Sequence, residues 1–142
     1  MKFCSECGSP VVLRIPEGDE RQRHVCTTCD IVHYQNPKLV VGCVPEAADG
    51  RIVICKRAIE PRVGYWTIPA GFMENGETLQ QAAARESQEE ALADVEIGSL
   101  LSVVNVTHAH QVHVFFRARL RSEAIGAGPE SLEVQLVTEA EI

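Results

Sequence analysis

The sequence has no long apolar run. The longest, Leu39 to Pro45, is far too short to cross a bilayer. The first residues also lack an apolar signal segment, because Cys4, Ser5, Glu6 and Cys7 stand where one would lie. These two absences point to a cytoplasmic protein with no membrane partner. Basic side chains are the minority, 13 against 20 acidic, giving a net charge of −7. That balance argues against a nucleic-acid partner bound through its phosphate backbone, although phosphates bridged by metal ions are compatible with it. Internal repeats and low-complexity linkers are also missing. With 142 residues, 45% hydrophobic and 23% charged, the chain suits one ordinary domain plus a small module.

The charge is unevenly spread. In residues 1–38, Lys2, Arg14, Arg21, Arg23 and Lys38 balance Glu6, Glu17, Asp19, Glu20 and Asp30. Residues 71–96 carry Glu74, Glu77, Glu86, Glu89, Glu90, Asp94 and Glu96 against Arg85 alone, a net of −6. Nearly the whole excess therefore sits in one short stretch.

Cys4-x-x-Cys7 and Cys26-x-x-Cys29 form two CxxC pairs 18 residues apart, the spacing of a zinc ribbon. Each pair can supply two thiolates to one tetrahedral ion, with Gly8 permitting the tight turn after the first. Between them, Val11 to Ile15 and Arg21 to Val25 read as two strands joined by the turn-rich Pro16-Glu17-Gly18-Asp19-Glu20. A hairpin this small has almost no core, so a structural Zn²⁺ would supply most of its folding energy. Free or disulfide-bonded thiols fit an intracellular chain poorly, and neither pair opens a helix as a redox CxxC does. His24 and His33 are spare ligands, since four cysteines complete the set. Cys43 and Cys55 fall in apolar strands and read as small buried hydrophobes.

Past Asn36-Pro37 the chain becomes strand-like. Leu39 to Val44 and Arg51 to Lys56 read as a hairpin about Asp49-Gly50. A glycine-containing loop from Gly71 to Gly76 leads to Thr78, a candidate N-cap for a helix running to about Ala93. Val95 to Val106, Val112 to Leu120 and Leu132 to Val137 follow as strands, with a small-residue loop from Ser122 to Pro129. Strands with one clear helix indicate an α/β or α+β domain.

On that helix, taking Glu86 as zero at about 100° per residue, Glu90 falls near about 40° and Glu89 near about −60°. The three carboxylates share one face, where like charges destabilise a helix unless cations occupy it. Oxygen-only ligands select hard ions such as Mg²⁺ or Mn²⁺. A solvated acidic face is the plainer reading, and the helix alone does not choose between them.

The residues in front of it add a pattern. Gly71, five residues, Glu77, seven residues, Arg85-Glu86, then Glu89-Glu90 resembles the Nudix box, Gly-x5-Glu-x7-Arg-Glu-U-x-Glu-Glu-x-Gly-U, with U a bulky apolar residue. Ser87 and Ala93 stand at U positions and Leu92 at the helix-ending glycine, which implies a thinner contact beneath the helix and a different helix end. The ribbon, His33-Tyr34-Gln35-Asn36-Pro37 and Pro69-Ala70-Gly71-Phe72 resemble the ribbon-bearing Nudix subgroup associated with FAD, ADP-ribose and NADH diphosphate cleavage. The usual Ser-Gln-Pro-Trp-Pro-Phe-Pro motif of NADH-cleaving members has no counterpart in Val104-Asn105-Val106-Thr107-His108.

The resemblance implies a zinc ribbon over residues 1–36 and, over 37–142, an α/β/α sandwich with a mixed sheet. It implies hydrolysis of the diphosphate in a small-molecule nucleotide, FAD or ADP-ribose ahead of NADH. Glu86, Glu89, Glu90 and the Ala70 carbonyl would hold Mg²⁺ or Mn²⁺, while Glu77 and Arg85 would orient loop and helix by charge pairing. A ribbon module that binds nucleotide without turnover is the alternative.

Weaker candidates surround this set. Trp66, the only tryptophan, and Phe72 are candidate substrate contacts, though Trp66 beside Ile68 also suits a core. His108 and His110 would share a strand face, with His113 opposite. Arg117, Arg119 and Arg121 alternate on one strand, consistent with a soluble edge. Glu123, Glu130 and Glu133 flank the late loop where many Nudix enzymes place an extra catalytic glutamate. Finally, Thr138-x-x-Glu141 is a capping box, yet the sequence given stops at Ile142, so the family's C-terminal helix is expected to be missing and a second subunit, as a homodimer, is a candidate cover.

Overall fold

In the computed structural model, which describes residues 1–142, the chain falls into two units, Met1–Asn36 and Pro37–Ile142. The first holds an antiparallel sheet of β1 (Val11–Arg14), β2 (Arg23–Cys26) and β3 (Val32–His33), in that order. The second strand starts later than its residues suggest. Asp19 Oδ1 accepts the Glu20 and Arg21 N–H groups at 2.7 and 3.0 Å, and Oδ2 pairs with Arg23 Nε at 2.8 Å, so the turn extends through Arg21. The third strand is too short to leave a sequence pattern. Val25 and Cys26 are buried, while Val12, Leu13 and Ile15 are exposed. So little apolar burial cannot hold 36 residues.

The four thiols supply the difference. The sulfurs of Cys4, Cys7, Cys26 and Cys29 all lie within 4.8 Å of one another. Cys7 to Cys26, Cys7 to Cys29 and Cys4 to Cys29 measure 3.4, 3.6 and 3.7 Å. A tetrahedron with Zn–S bonds of about 2.3 Å has edges of about 3.8 Å, so the sulfur cage fits a zinc ion. Backbone N–H groups of Glu6 and of Thr28 and Cys29 point at Cys4 and Cys26 sulfur, each at 3.4 Å, as thiolates require. His33 Nε2 sits 3.3 Å from Cys4 sulfur, beside the cage rather than in it.

The second unit is built on β4 (Lys38–Glu46), β5 (Ile52–Arg57), β6 (Trp66–Thr67), β7 (Ala70–Phe72), α1 (Leu79–Ala91), β8 (Val95–Val106), β9 (Gln111–Leu120) and β10 (Ser131–Val137). The strands run β10-β5-β4-β9-β8, with β6 added to β5 and β7 to β4. The β4–β9 pair is parallel and the others antiparallel, so the sheet is mixed. The expected β4–β5 hairpin survives only at its mouth, Glu46 opposite Ile52. Beyond it the strands diverge, because β7 takes the edge of β4 at Val40 to Gly42 and β6 takes β5 at Cys55 and Lys56. That divergence seats Ala70 to Phe72 against the helix they precede.

Thr78 caps α1 with a complete box: Gln81 N–H donates to Thr78 Oγ1 at 3.2 Å and Thr78 N–H to Gln81 Oε1 at 2.8 Å. The helix ends at Ala91, short of Ala93, because Leu92 turns left-handed at φ 49° and its N–H closes on Gln88 at 3.1 Å. Leucine thus adopts a conformation that glycine favours, at a cost of about 1 kcal/mol. Ala82, Ala83, Ser87 and Ala91 are fully buried, and this small-residue face lets α1 approach a core of Val41, Cys43, Val53, Cys55, Val114 and Phe116. Ser87 fills its apolar position with a polar contact, Oγ to Cys43 Sγ at 3.0 Å, with no exposed surface on either residue.

Two readings change, and the expected lack of a C-terminal helix holds. Strand β9 lies between β4 and β8, so Arg117 and Arg119 stand on an interior strand, and Arg121 follows its end, 3.6 Å from Asp94. His108 and His110 share no strand face: the first lies in a 3-10 turn, Thr107–Ala109, and the second is left-handed at φ 53°. After β10, the Thr138–Glu141 box closes a single 3-10 turn, Glu139–Glu141, and α1 is the one α-helix.

The zinc account predicts one ion per chain. Cys26→Ser, which removes a buried ligand, is expected to collapse the amide dispersion of residues 1–36 while that of residues 37–142 persists. Heteronuclear NMR and elemental analysis check both.

Candidate functional site

Gly71 and α1 make the site. A Cβ on Gly71 would lie 2.3 Å from Glu86 Oε2, so any larger residue here would have to displace that carboxylate. One turn on, Glu90 Oε2 accepts the Ala70 N–H at 3.0 Å. Glu86 and Glu90 are 7% and 6% exposed, whereas Glu89 is open.

Arg85 ties these parts together. Its Nε donates to Glu77 Oε1 at 2.6 Å and Nη2 to Glu77 Oε2 at 3.1 Å. Nη1 donates to Glu86 at 2.7 Å and to Glu89 at 2.8 Å, and Nη2 also reaches the Phe72 carbonyl at 3.0 Å. Every N–H of the guanidinium fork thereby has a partner. Glu77 Oε2 further accepts the Glu74 N–H at 3.0 Å, which pins the loop on the helix. Arg85 holds the Glu77 carboxyl below its usual range, helped by that N–H.

The buried acids behave oppositely. Burial pushes Glu90 up to about 7, with Glu86 adding to it and the Ala70 N–H opposing. Burial likewise raises Glu86 despite Arg85. Carboxylates desolvated beside one another hold protons more tightly unless a cation shares them. The donor set is oxygen only, two of its members are enclosed, and Gly71 leaves the approach open; these residues fit a hard divalent ion.

They border a cleft of about 830 Å³. Its wall includes Glu86, Glu89, Glu90, Arg85, Ala70 and Phe72. Trp66 lies outside this wall, on β6 with Lys56 Nζ 5.7 Å from its ring. The ring of Phe72 has Lys38 Nζ at 5.0 Å. Of the three histidines near the β8–β9 turn, His113 alone lines the cleft. Of the late-loop acids, Glu130 lines it, while Glu123 pairs with Arg51 at 3.1 Å and Glu133 lies 3.8 Å from Lys56. Arg57 and Arg62 also stand in the wall, and no sequence spacing marks them. Arg57 is held by its own loop, Nε to the Pro61 carbonyl at 2.9 Å.

A glycine loop feeding a helix whose carboxylates meet in one cleft, over a mixed sheet, defines a loop–helix–loop protein behind a zinc ribbon. Residues 36–142 match the NUDIX domain family model, and residues 2–35 match the Nudix N-terminal zinc ribbon. The chain belongs to the Nudix family. A solved NUDIX hydrolase from Nitrosomonas europaea is 56% identical, with a TM-score of 0.95 over 100% of this chain and 80% of that one. The NAD-capped RNA hydrolase NudC of Stutzerimonas stutzeri is 27% identical over 132 residues, which cover 93% of this chain and 46% of the relative. An ADP-ribose pyrophosphatase of Methanocaldococcus jannaschii is 29% identical over 106 residues, 72% of this chain and 62% of the relative. This chain spans less than half the length of the NudC relatives it matches. No helix is long and apolar enough to cross a membrane.

The raised Glu90 sets a pH dependence. Between the ordinary 4.5 and about 7, folded protein without a divalent ion in the cleft keeps a proton that the unfolded chain has lost. Its stability therefore falls as pH rises through that window. In Mg²⁺-free buffer with zinc retained, Glu90→Gln is expected to flatten the slope and to stabilise the protein at pH 8 by about 3 kcal/mol. Urea denaturation across pH measures it; an unchanged slope contradicts the assignment.

Proposed function

We propose that this chain hydrolyses the diphosphate bond of a nucleoside diphosphate linked to another group, with ADP-ribose or FAD ahead of NADH. The observation that carries the reading is the convergence of Glu86, Glu89 and Glu90 with the Ala70-Gly71 loop in one cleft, fixed by Arg85. Glu86, Glu89, Glu90 and the Ala70 carbonyl would hold Mg²⁺ or Mn²⁺, which when bound neutralises the diphosphate and acidifies a water. Arg85 and Glu77 orient the ligands without touching the substrate. Phe72, partly exposed in the cleft wall, offers a ring face to a base or flavin. Trp66, outside the wall, drops out of this reading.

The substrate order rests on residues and relatives together. Val104 to His108 lacks the motif usual for NADH-cleaving members. Similarity to an ADP-ribose pyrophosphatase supports the first choice, and similarity to NudC proteins keeps NAD-type substrates in view. NAD-capped RNA ranks behind the small dinucleotides, because a net charge of −7 with a neutral ribbon offers no basic face to an RNA backbone.

A coupled phosphate assay on ADP-ribose, FAD, NADH and NAD-capped RNA tests this. ADP-ribose or FAD should turn over only with Mg²⁺ or Mn²⁺, and Glu89→Gln should lower kcat about 100-fold. Calorimetric nucleotide binding with no turnover on any substrate would make the chain a binding module instead.

A further inference from the structure

The cleft has a second half that carries no carboxylate. In β9, Val114 and Phe116 are buried in the core with the alanines of α1. Gln111, His113 and Phe115 therefore alternate onto the opposite face of the sheet, and all three line the cleft. Their neighbour on β4 is Val40, which stands opposite His113 in one register and opposite Phe72 in the other. Gly71 faces Glu86 and the helix, so Phe72, one residue on, turns to the His113 side. Strand β7 is thus a divide, with acids on one side and a ring-lined floor on the other. On that floor the His113 and Phe115 rings meet edge to face, 6.0 Å apart at 74°.

One polar contact is fixed in the floor. His113 Nε2 lies 2.9 Å from Gln111 Oε1. An amide oxygen can only accept, so His113 Nε2 carries the hydrogen and donates it. Turning the amide over would set its NH2 group against that N–H and lose the bond. His113 therefore decides which way round Gln111 presents its two polar groups. The oxygen keeps a second lone pair and the nitrogen keeps its hydrogens, so an acceptor and a donor stand side by side in fixed order. A glutamine amide used in this way pairs with adenine, whose N6 amino group donates and whose N7 accepts. Hypoxanthine has a carbonyl oxygen where adenine has N6, and on the same ribose that oxygen would face Gln111 Oε1, acceptor against acceptor.

We propose that Gln111 reads the adenine ring of the nucleotide and that His113 is the positioning residue that sets the order of its amide. This rests on the hydrolase reading, which seats the diphosphate at the carboxylates, across β7 from the floor. Calorimetry on the zinc-loaded full chain carrying Glu89→Gln, in Mg²⁺, measures affinity with cleavage slowed. ADP-ribose should bind about tenfold more tightly than its hypoxanthine counterpart. Gln111→Leu should weaken ADP-ribose about tenfold and bring the two ligands to equal affinity. His113→Phe keeps a ring against Phe115 and removes the N–H. With it, ADP-ribose should stay within about threefold while the preference shrinks to about twofold. His113→Gln, whose amide can donate to Gln111 Oε1, should restore part of the preference.

Equal affinity for the two ligands with Gln111 and His113 in place overturns the proposal, and so does a preference that survives Gln111→Leu. A preference unmoved by His113→Phe overturns the positioning role. The ratio of the two affinities is a readout that a general loosening of the strand does not move. Should Gln111→Leu fail to fold, Gln111→Ala is expected to abolish the preference in the same way. Turnover of ADP-ribose with Glu89 in place separates the two ideas. The preference without cleavage sinks the hydrolase reading alone, and cleavage without the preference sinks this one alone.

Discussion

Arg85 is the constraint on which the site depends. An acidic face on a short helix repels itself, and two of its carboxylates are taken out of water. One guanidinium, fully hydrogen-bonded to Glu77, Glu86, Glu89 and the Phe72 carbonyl, offsets part of that repulsion and joins loop to helix. It leaves Glu90 outside its reach, and Glu90 is the acid whose burial raises it to about 7. The arrangement is neutralised by a cation on one side only, and Glu90, on the side without one, lines the cleft.

The rest of the second unit serves that placement. The strands β4 and β5 part so that β7 can lie on β4, which brings Ala70 within 3.0 Å of Glu90. Small residues on α1 let the helix settle close to the sheet, and the Ser87–Cys43 contact keeps that interface without a large side chain. In the first unit the logic is reversed: almost no core exists, and four sulfurs are placed so that one bound ion would do the work of packing.

Local chemistry was legible in the sequence; long-range pairing was not. The two CxxC pairs, the Thr78 cap and the Gly71-to-Glu90 spacing each state a local geometric requirement, and the corresponding thiol cage, helix start and carboxylate cluster are present. The β4–β5 hairpin is present but short, because Asp49-Gly50 specifies a turn and says nothing of what competes for the strands beyond it. Arg117 and Arg119 looked like an edge because their alternation is the same on an interior strand with one polar face. Arg57 and Arg62 reach the cleft only through tertiary folding, so no periodicity could mark them, and the same folding selects Glu130 from the three late-loop acids. At Leu92 the residue type suggested that the glycine stop was lost, yet the Gln88 carbonyl still draws the backbone left-handed.

The central claim is that the acidic cluster of α1 is a divalent-cation site that presents a diphosphate for cleavage. Crystals grown with Mn²⁺ and a non-hydrolysable ADP-ribose analogue, with data collected at the manganese edge, test it most directly. The account predicts an anomalous peak bonded to oxygens of Glu86, Glu89 or Glu90, with the analogue's diphosphate on the same ion. Manganese absent from the cleft, or bound elsewhere while the analogue sits in it, would contradict the account.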